Sequence, residues 1–132
     1  MLRSKVGRFG LGIAALAVAA ALIVPAAFGH AAAAPKLIGN AKAGKTAFAT
    51  TCAACHTLKA AGAVGTIGPN LDKTAKTLTE ALIIKAITKG GASIMTKAAL
   101  AKYTTQMVAY KGSLPAATIN NIAAFVYSST HM

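Results

Sequence analysis

Apolar residues return at helical intervals in the second and third of three consecutive stretches of this chain, and helix-start and helix-stop residues bracket all three. Asn40 is placed to cap a first helix over Ala41 to Ala54. Thr77-Leu78-Thr79-Glu80 has the spacing of a capping box, in which a hydroxyl and a carboxylate each satisfy the other's free backbone N–H. It predicts a second helix that stops at Gly90-Gly91. Its apolar face is Leu78, Leu82 and Ala86, flanked by Ile83 and Ile87. Ile119, Ile122 and Val126, with Phe125 beside them, predict a third helix that begins near Pro115 and runs to Ser129. A weaker pattern allows a short helix over Thr96 to Tyr103. No alternating run is long enough to predict a strand. The expected fold class is mainly α, with three main helices and long loops.

The first 34 residues have a different character. Arg3, Lys5 and Arg8 precede an apolar run from Leu11 to Phe28, and small residues follow from Gly29 to Ala34. That order is a secretory signal, with cleavage after Ala31, Ala33 or Ala34. No Arg-Arg pair suggests the twin-arginine route. The run is also long enough for an uncleaved membrane anchor, although Gly12, Pro25 and the alanine-rich end favour cleavage. Residues 1–34 are therefore assigned to the leader and residues 35–132 to a single domain. Such a small domain buries a limited share of its surface and gains from a covalent staple.

Charge narrows the choice of partners. The chain has 14 Lys and Arg; without Arg3, Lys5 and Arg8 the domain keeps eleven lysines against Asp72 and Glu80, a formal +9. A field of that sign speeds encounter with acidic proteins or an anionic membrane surface. It also serves solubility. Nucleic acid is excluded as the main partner: the domain has no Arg for bidentate base contact and little interleaved aromatic character.

The chemistry is concentrated in Cys52-Ala53-Ala54-Cys55-His56. C-x-x-C-H is the attachment signature of c-type haem. Its spacing lets one turn of chain present both thiols to the vinyl groups of a porphyrin, and the next residue brings an imidazole to the iron. Other uses of the pattern fit poorly. A thioredoxin-like dithiol needs a βαβ setting. A zinc site needs further ligands at matching spacing, and only His30 and His131 remain. Export agrees with the reading, because such thiols are handled outside the reducing cytosol.

Beyond the motif, residues 38–129 resemble a class I monohaem cytochrome c of the small soluble bacterial type. Gly44, Phe48, Cys52, Cys55 and His56 resemble the family's G-x-x-x-[FY]-x-x-x-C-x-x-C-H pattern, and Ile122 and Phe125 stand where its last helix meets the first. Gly68-Pro69-Asn70-Leu71 resembles the G-P-x-L turn. The resemblance implies that the Pro69 carbonyl accepts a hydrogen bond from the ligand imidazole and that Leu71 packs on the macrocycle. That outer bond would orient the ring and tune the metal. Residues 107–114 resemble the stretch M-P-x-[FY]-x-G-x-L, so the resemblance implies Met107 as the distal iron ligand. Val108 replaces the usual proline. Met95 competes, because the family's ligand often follows the Gly-Gly stop closely; on the Met107 alignment, residues 92–106 are an insertion. Met132 is discounted at a terminus. Tyr110 is expected to line the crevice, with Tyr103 and Tyr127 as packing residues.

The implied cofactor is one covalent haem c, whose two propionates lower the domain's charge to about +7. The implied function is electron transfer between redox partners, with Fe(III)/Fe(II) cycling, no enzymatic activity, no small-molecule substrate, and a location in the periplasm or at the outer face of the cytoplasmic membrane. The alternative is a haem protein with a labile distal ligand that binds or reacts with peroxide, CO or NO. The distal His and Arg of a haem peroxidase are absent from the sequence.

Overall fold

The structure is a computed structural model that describes residues 36–132. The expected leader, residues 1–34, lies outside the described residues. Five α-helices and a two-stranded hairpin follow in the order α1 (Ala41–Thr51), β1 (Thr57–Leu58), β2 (Ala63–Val64), α2 (Leu71–Thr74), α3 (Glu80–Lys89), α4 (Lys97–Leu100) and α5 (Ala116–Thr130). Short 3₁₀ turns at Lys59–Ala61, Ala75–Thr77 and Gly91–Ser93 join them. Among the described residues, no helix is long and apolar enough to cross a membrane.

The most extensive contact is between α1 and α5, and glycines set its closeness. A Cβ on Gly44 would overlap the Asn121 carbonyl, and one on Gly39 would overlap that of Asn120. With no Cβ in the way, the two backbones touch. Asn121 Oδ1 then accepts the Asn40 N–H at 2.7 Å, while Asn40 Oδ1 caps α1 by accepting from Ala43 at 3.1 Å. Beside that crossing, Phe48 and Phe125 meet edge to face at 5.8 Å. Phe48 is 1% exposed and Ile122 is fully buried; burial of such side chains stabilises by about 1.5–3 kcal/mol each. α3 packs against the other side of α5 through Ile83 and Ile87.

Four sequence expectations change. The first helix ends at Thr51 rather than Ala54. Cys52 is its C-cap, and the chain then turns, with Cys55 and His56 both donating to the Cys52 carbonyl at 3.1 and 3.0 Å. The capping box does not form. Residues 75–77 are spent in a 3₁₀ turn, so Thr79 becomes the N-cap and its hydroxyl accepts from Leu82 at 3.3 Å. Glu80 is thereby released from a capping role. It is buried, and both carboxylate oxygens lie 3.0 Å from the Ile38 N–H. On α3 the buried face is Ile83 and Ile87, while Leu82 is 38% exposed. Finally, a hairpin does exist, but each strand has only two residues, too short to leave an alternating pattern. It closes around Leu58, fully buried, and Gly62, whose φ of 66° suits a residue without a side chain. α4 forms within the weakly patterned segment, capped by the Thr96 hydroxyl.

Candidate cofactor site

A cavity of about 620 Å³ lies between these elements, in the size range of small-molecule and cofactor sites. Its lining is mainly apolar. α1 contributes Phe48 and α5 contributes Ile122 and Val126; α3 contributes Ile83 and Ile87; the loops supply the polar and sulfur-bearing groups. Cys52, Cys55, His56, Pro69, Leu71, Met107 and Tyr110 all reach its wall, so the residues singled out in the sequence converge on one place.

One wall is built from residues 52–71. The turn after α1 sets Cys52 and Cys55 on the same cavity face. Burial, helped by the neighbouring Cys55, pushes the Cys52 thiol up to about 11. At neutral pH it is a thiol, not the nucleophilic thiolate. His56 is 8% exposed. Its Nδ1 lies 2.9 Å from the Pro69 carbonyl oxygen, a geometry in which Nδ1–H donates and Nε2 keeps its lone pair. Gly68 lies against the same ring: a Cβ there would sit 2.7 Å from His56 Cε1 and 2.9 Å from Nδ1. Any larger residue would rotate or displace the imidazole. The Gly68 N–H donates to the Cys55 carbonyl at 2.8 Å, tying the turn back to the motif. Asp72, just beyond, accepts the Lys59 N–H at 3.0 Å and fixes the hairpin.

The other wall comes from residues 91–110. Two backbone bonds strap its far end to α3, Tyr110 N–H to Ile87 at 2.9 Å and Lys111 N–H to Thr88 at 3.3 Å, and a third, Gly91 N–H to the Met107 carbonyl at 3.1 Å, ties its two ends together. Gly90, with φ of 87°, makes the turn that brings Gly91 to Met107. A Cβ on Gly91 would be 3.2 Å from Met107 Cβ and 3.8 Å from Met95 Sδ, so both methionine side chains, which line the cavity, pass close to one glycine. Met132, by contrast, is fully exposed. Tyr110 is partly buried; burial, and then the charge that Cys52 and Cys55 would carry as thiolates, raises its phenol pKa. Val108 is 65% exposed at the cavity edge.

This arrangement suits a flat, apolar group anchored through two thiols and an imidazole, and among the described residues no cluster of three or more His, Cys, Asp or Glu side chains offers a metal ion a different home. Among the described residues, a mainly α fold whose first and last helices cross at glycines and whose loops present two thiols and an imidazole to one apolar cavity is suited to a covalently held haem. The family model for cytochrome c matches residues 41–130, and the chain belongs to the cytochrome c family, with the class I fold. Searches of curated proteins and of solved structures found no match. Haem c, one per chain and covalently bound, is the cofactor of this family, and Cys52 and Cys55 have the spacing to attach it. Bound there, it supplies a one-electron Fe(III)/Fe(II) couple.

Several residues at the site carried no signal. Ile67, Ile94 and Thr105 lie in irregular segments, and no periodicity singles out Gly39 as the second crossing glycine.

Proposed function

We propose that this cytochrome c is an exported, diffusible electron carrier with Met107 as the distal ligand to iron. The observation that carries the reading is the strap: the Met107 backbone is held to Gly91 and the Tyr110 backbone to Ile87. A thioether on a segment fixed at both ends fills the sixth position and leaves no open site for a reactant. Thioether ligation also favours Fe(II) and raises the potential. His56, its ring held by the Pro69 carbonyl, would be the proximal ligand, and Leu71 and Tyr110 would pack on the macrocycle. The basic surface steers acidic redox partners, or an anionic membrane face, toward the cavity edge in the periplasm or at the outer face of the cytoplasmic membrane.

One observation favours a second reading, a labile distal ligand that yields to peroxide, CO or NO. Val108 is exposed where proline would stiffen the strap. The two readings separate in the purified holoprotein. Met107→Ala removes the weak far-red sulfur-to-iron charge-transfer band and moves ferric haem toward high spin, while Met95→Ala leaves the band. The reverse result transfers the assignment to Met95. Rapid CO binding to the unmodified ferrous protein would favour the second reading.

A further inference from the structure

Polar side chains are distributed unevenly around the cavity. Apart from the thiols and His56, the cavity's polar lining residues are Thr51, Thr74 and Tyr110, together with a cluster from residues 96–106: Thr96, Lys102, Tyr103, Thr105 and Gln106. Lys102 is the one charged side chain in the lining. It lines the cavity and is exposed overall.

The neighbours of Lys102 have other duties. Gln106 Nε2 donates to the Tyr103 carbonyl at 3.1 Å and to that of Leu100 at 3.5 Å, locking the turn after α4. The Thr96 hydroxyl accepts from Ala99 and caps α4. Both acidic side chains of the described residues are engaged elsewhere, Asp72 with the Lys59 N–H and Glu80 with the Ile38 N–H. A cation in the lining of an apolar cavity, on a turn locked by a glutamine and followed by a phenol that lines the same cavity, has the chemistry to meet an anion held there.

We infer that Lys102, with Tyr103 beside it, binds a carboxylate of the bound cofactor: Lys102 as ion-pair partner of a haem propionate, Tyr103 as hydrogen-bond donor to it. The inference rests on haem occupying this cavity. Haem brings two carboxylates into a mainly apolar lining, and burying a carboxylate without a partner is costly. Residues 92–106, which the resemblance to the family leaves as an insertion, then have a stated role. They cover the cavity, neutralise part of the cofactor's charge and bias the iron toward Fe(II), because a nearby positive charge disfavours the ferric state.

The test uses holoprotein carrying haem with carbon-13 in its propionate carboxyls. Redox-difference infrared spectra and reduction potentials are measured for the unmodified protein, Lys102→Gln, Lys102→Arg, and the off-cavity controls Lys97→Gln and Lys111→Gln. The pyridine haemochrome of each sample is recorded first; a sample without thioether-linked haem contradicts the cofactor assignment itself. With haem in place, Lys102→Gln is expected to shift the labelled carboxylate band and lower the potential. Lys102→Arg is expected to restore most of both, and the two controls to leave the band where it is. Tyr103→Phe is expected to move the same band by a smaller amount. A band unchanged in Lys102→Gln, or shifted equally by the controls, overturns the inference.

Discussion

The two walls of the haem cavity are built on different principles. The wall of Cys52, Cys55 and His56 is local: within 20 residues of chain it contains both thiols, the imidazole, the carbonyl that orients it and the glycine that lies against it. The wall of Met95 and Met107 is held at a distance. Met107 is held beside the end of α3 by main-chain bonds, Met95 follows α3 along the chain, and α4 lies between the two. The local wall fixes one imidazole in one orientation. The strapped wall fixes where the chain passes but leaves two methionine side chains near the same glycine. Attachment is therefore the more rigidly specified half of the site, and distal ligation is the half that can be tuned.

The comparison breaks first at attachment. Cys52→Ala combined with Cys55→Ala is expected to abolish thioether linkage, so that mass spectrometry of the denatured chain shows no added haem. Retention of covalent haem would remove the local wall from the account. Next in size is the helix pair on which both walls rest. Phe48→Ala is expected to cost about 3–5 kcal/mol of holoprotein stability by denaturant titration, as for other buried aromatic rings. Near-normal stability would show that the edge-to-face contact with Phe125 contributes little.

The smallest effect belongs to the surface near the strapped wall. With a domain charge of about +7, transfer to an acidic redox partner should slow steeply with salt, since the Debye length falls from about 10 Å at 0.1 M to about 3 Å at 1 M. Charge reversal at Lys97 and Lys111 is expected to slow the second-order rate more than Lys36→Glu does. A rate flat in ionic strength would leave the lysines a role in solubility alone.

The contrast between walls also explains what the sequence reveals. The local wall is legible because its chemistry requires particular residues at fixed spacing, from Cys52 to Leu71. The crossing of α1 and α5 is legible at Gly44 and Phe48 for the same reason. Glu80 is not: its carboxylate serves Ile38, 42 residues away, and local spacing pointed instead to a capping box with Thr77. Leu82 is not legible either, because α3 carries two adjacent apolar stripes and the fold buries the one with Ile83 and Ile87. Lys102 and Tyr103 fall in the weakly patterned segment, in the turn after α4 ends at Leu100, where the pattern does not mark which residues face a cavity.

The most direct test of the central claim is a pair of absorption spectra, oxidised and reduced, on the purified protein before and after acid–butanone extraction. Haem should stay with the chain. The reduced form should show the sharp bands of low-spin, thioether-linked haem, and the oxidised form should show the far-red methionine-to-iron band. Haem lost to the organic phase, or a high-spin ferric spectrum without that band, would contradict a covalently held haem with a methionine on its distal side.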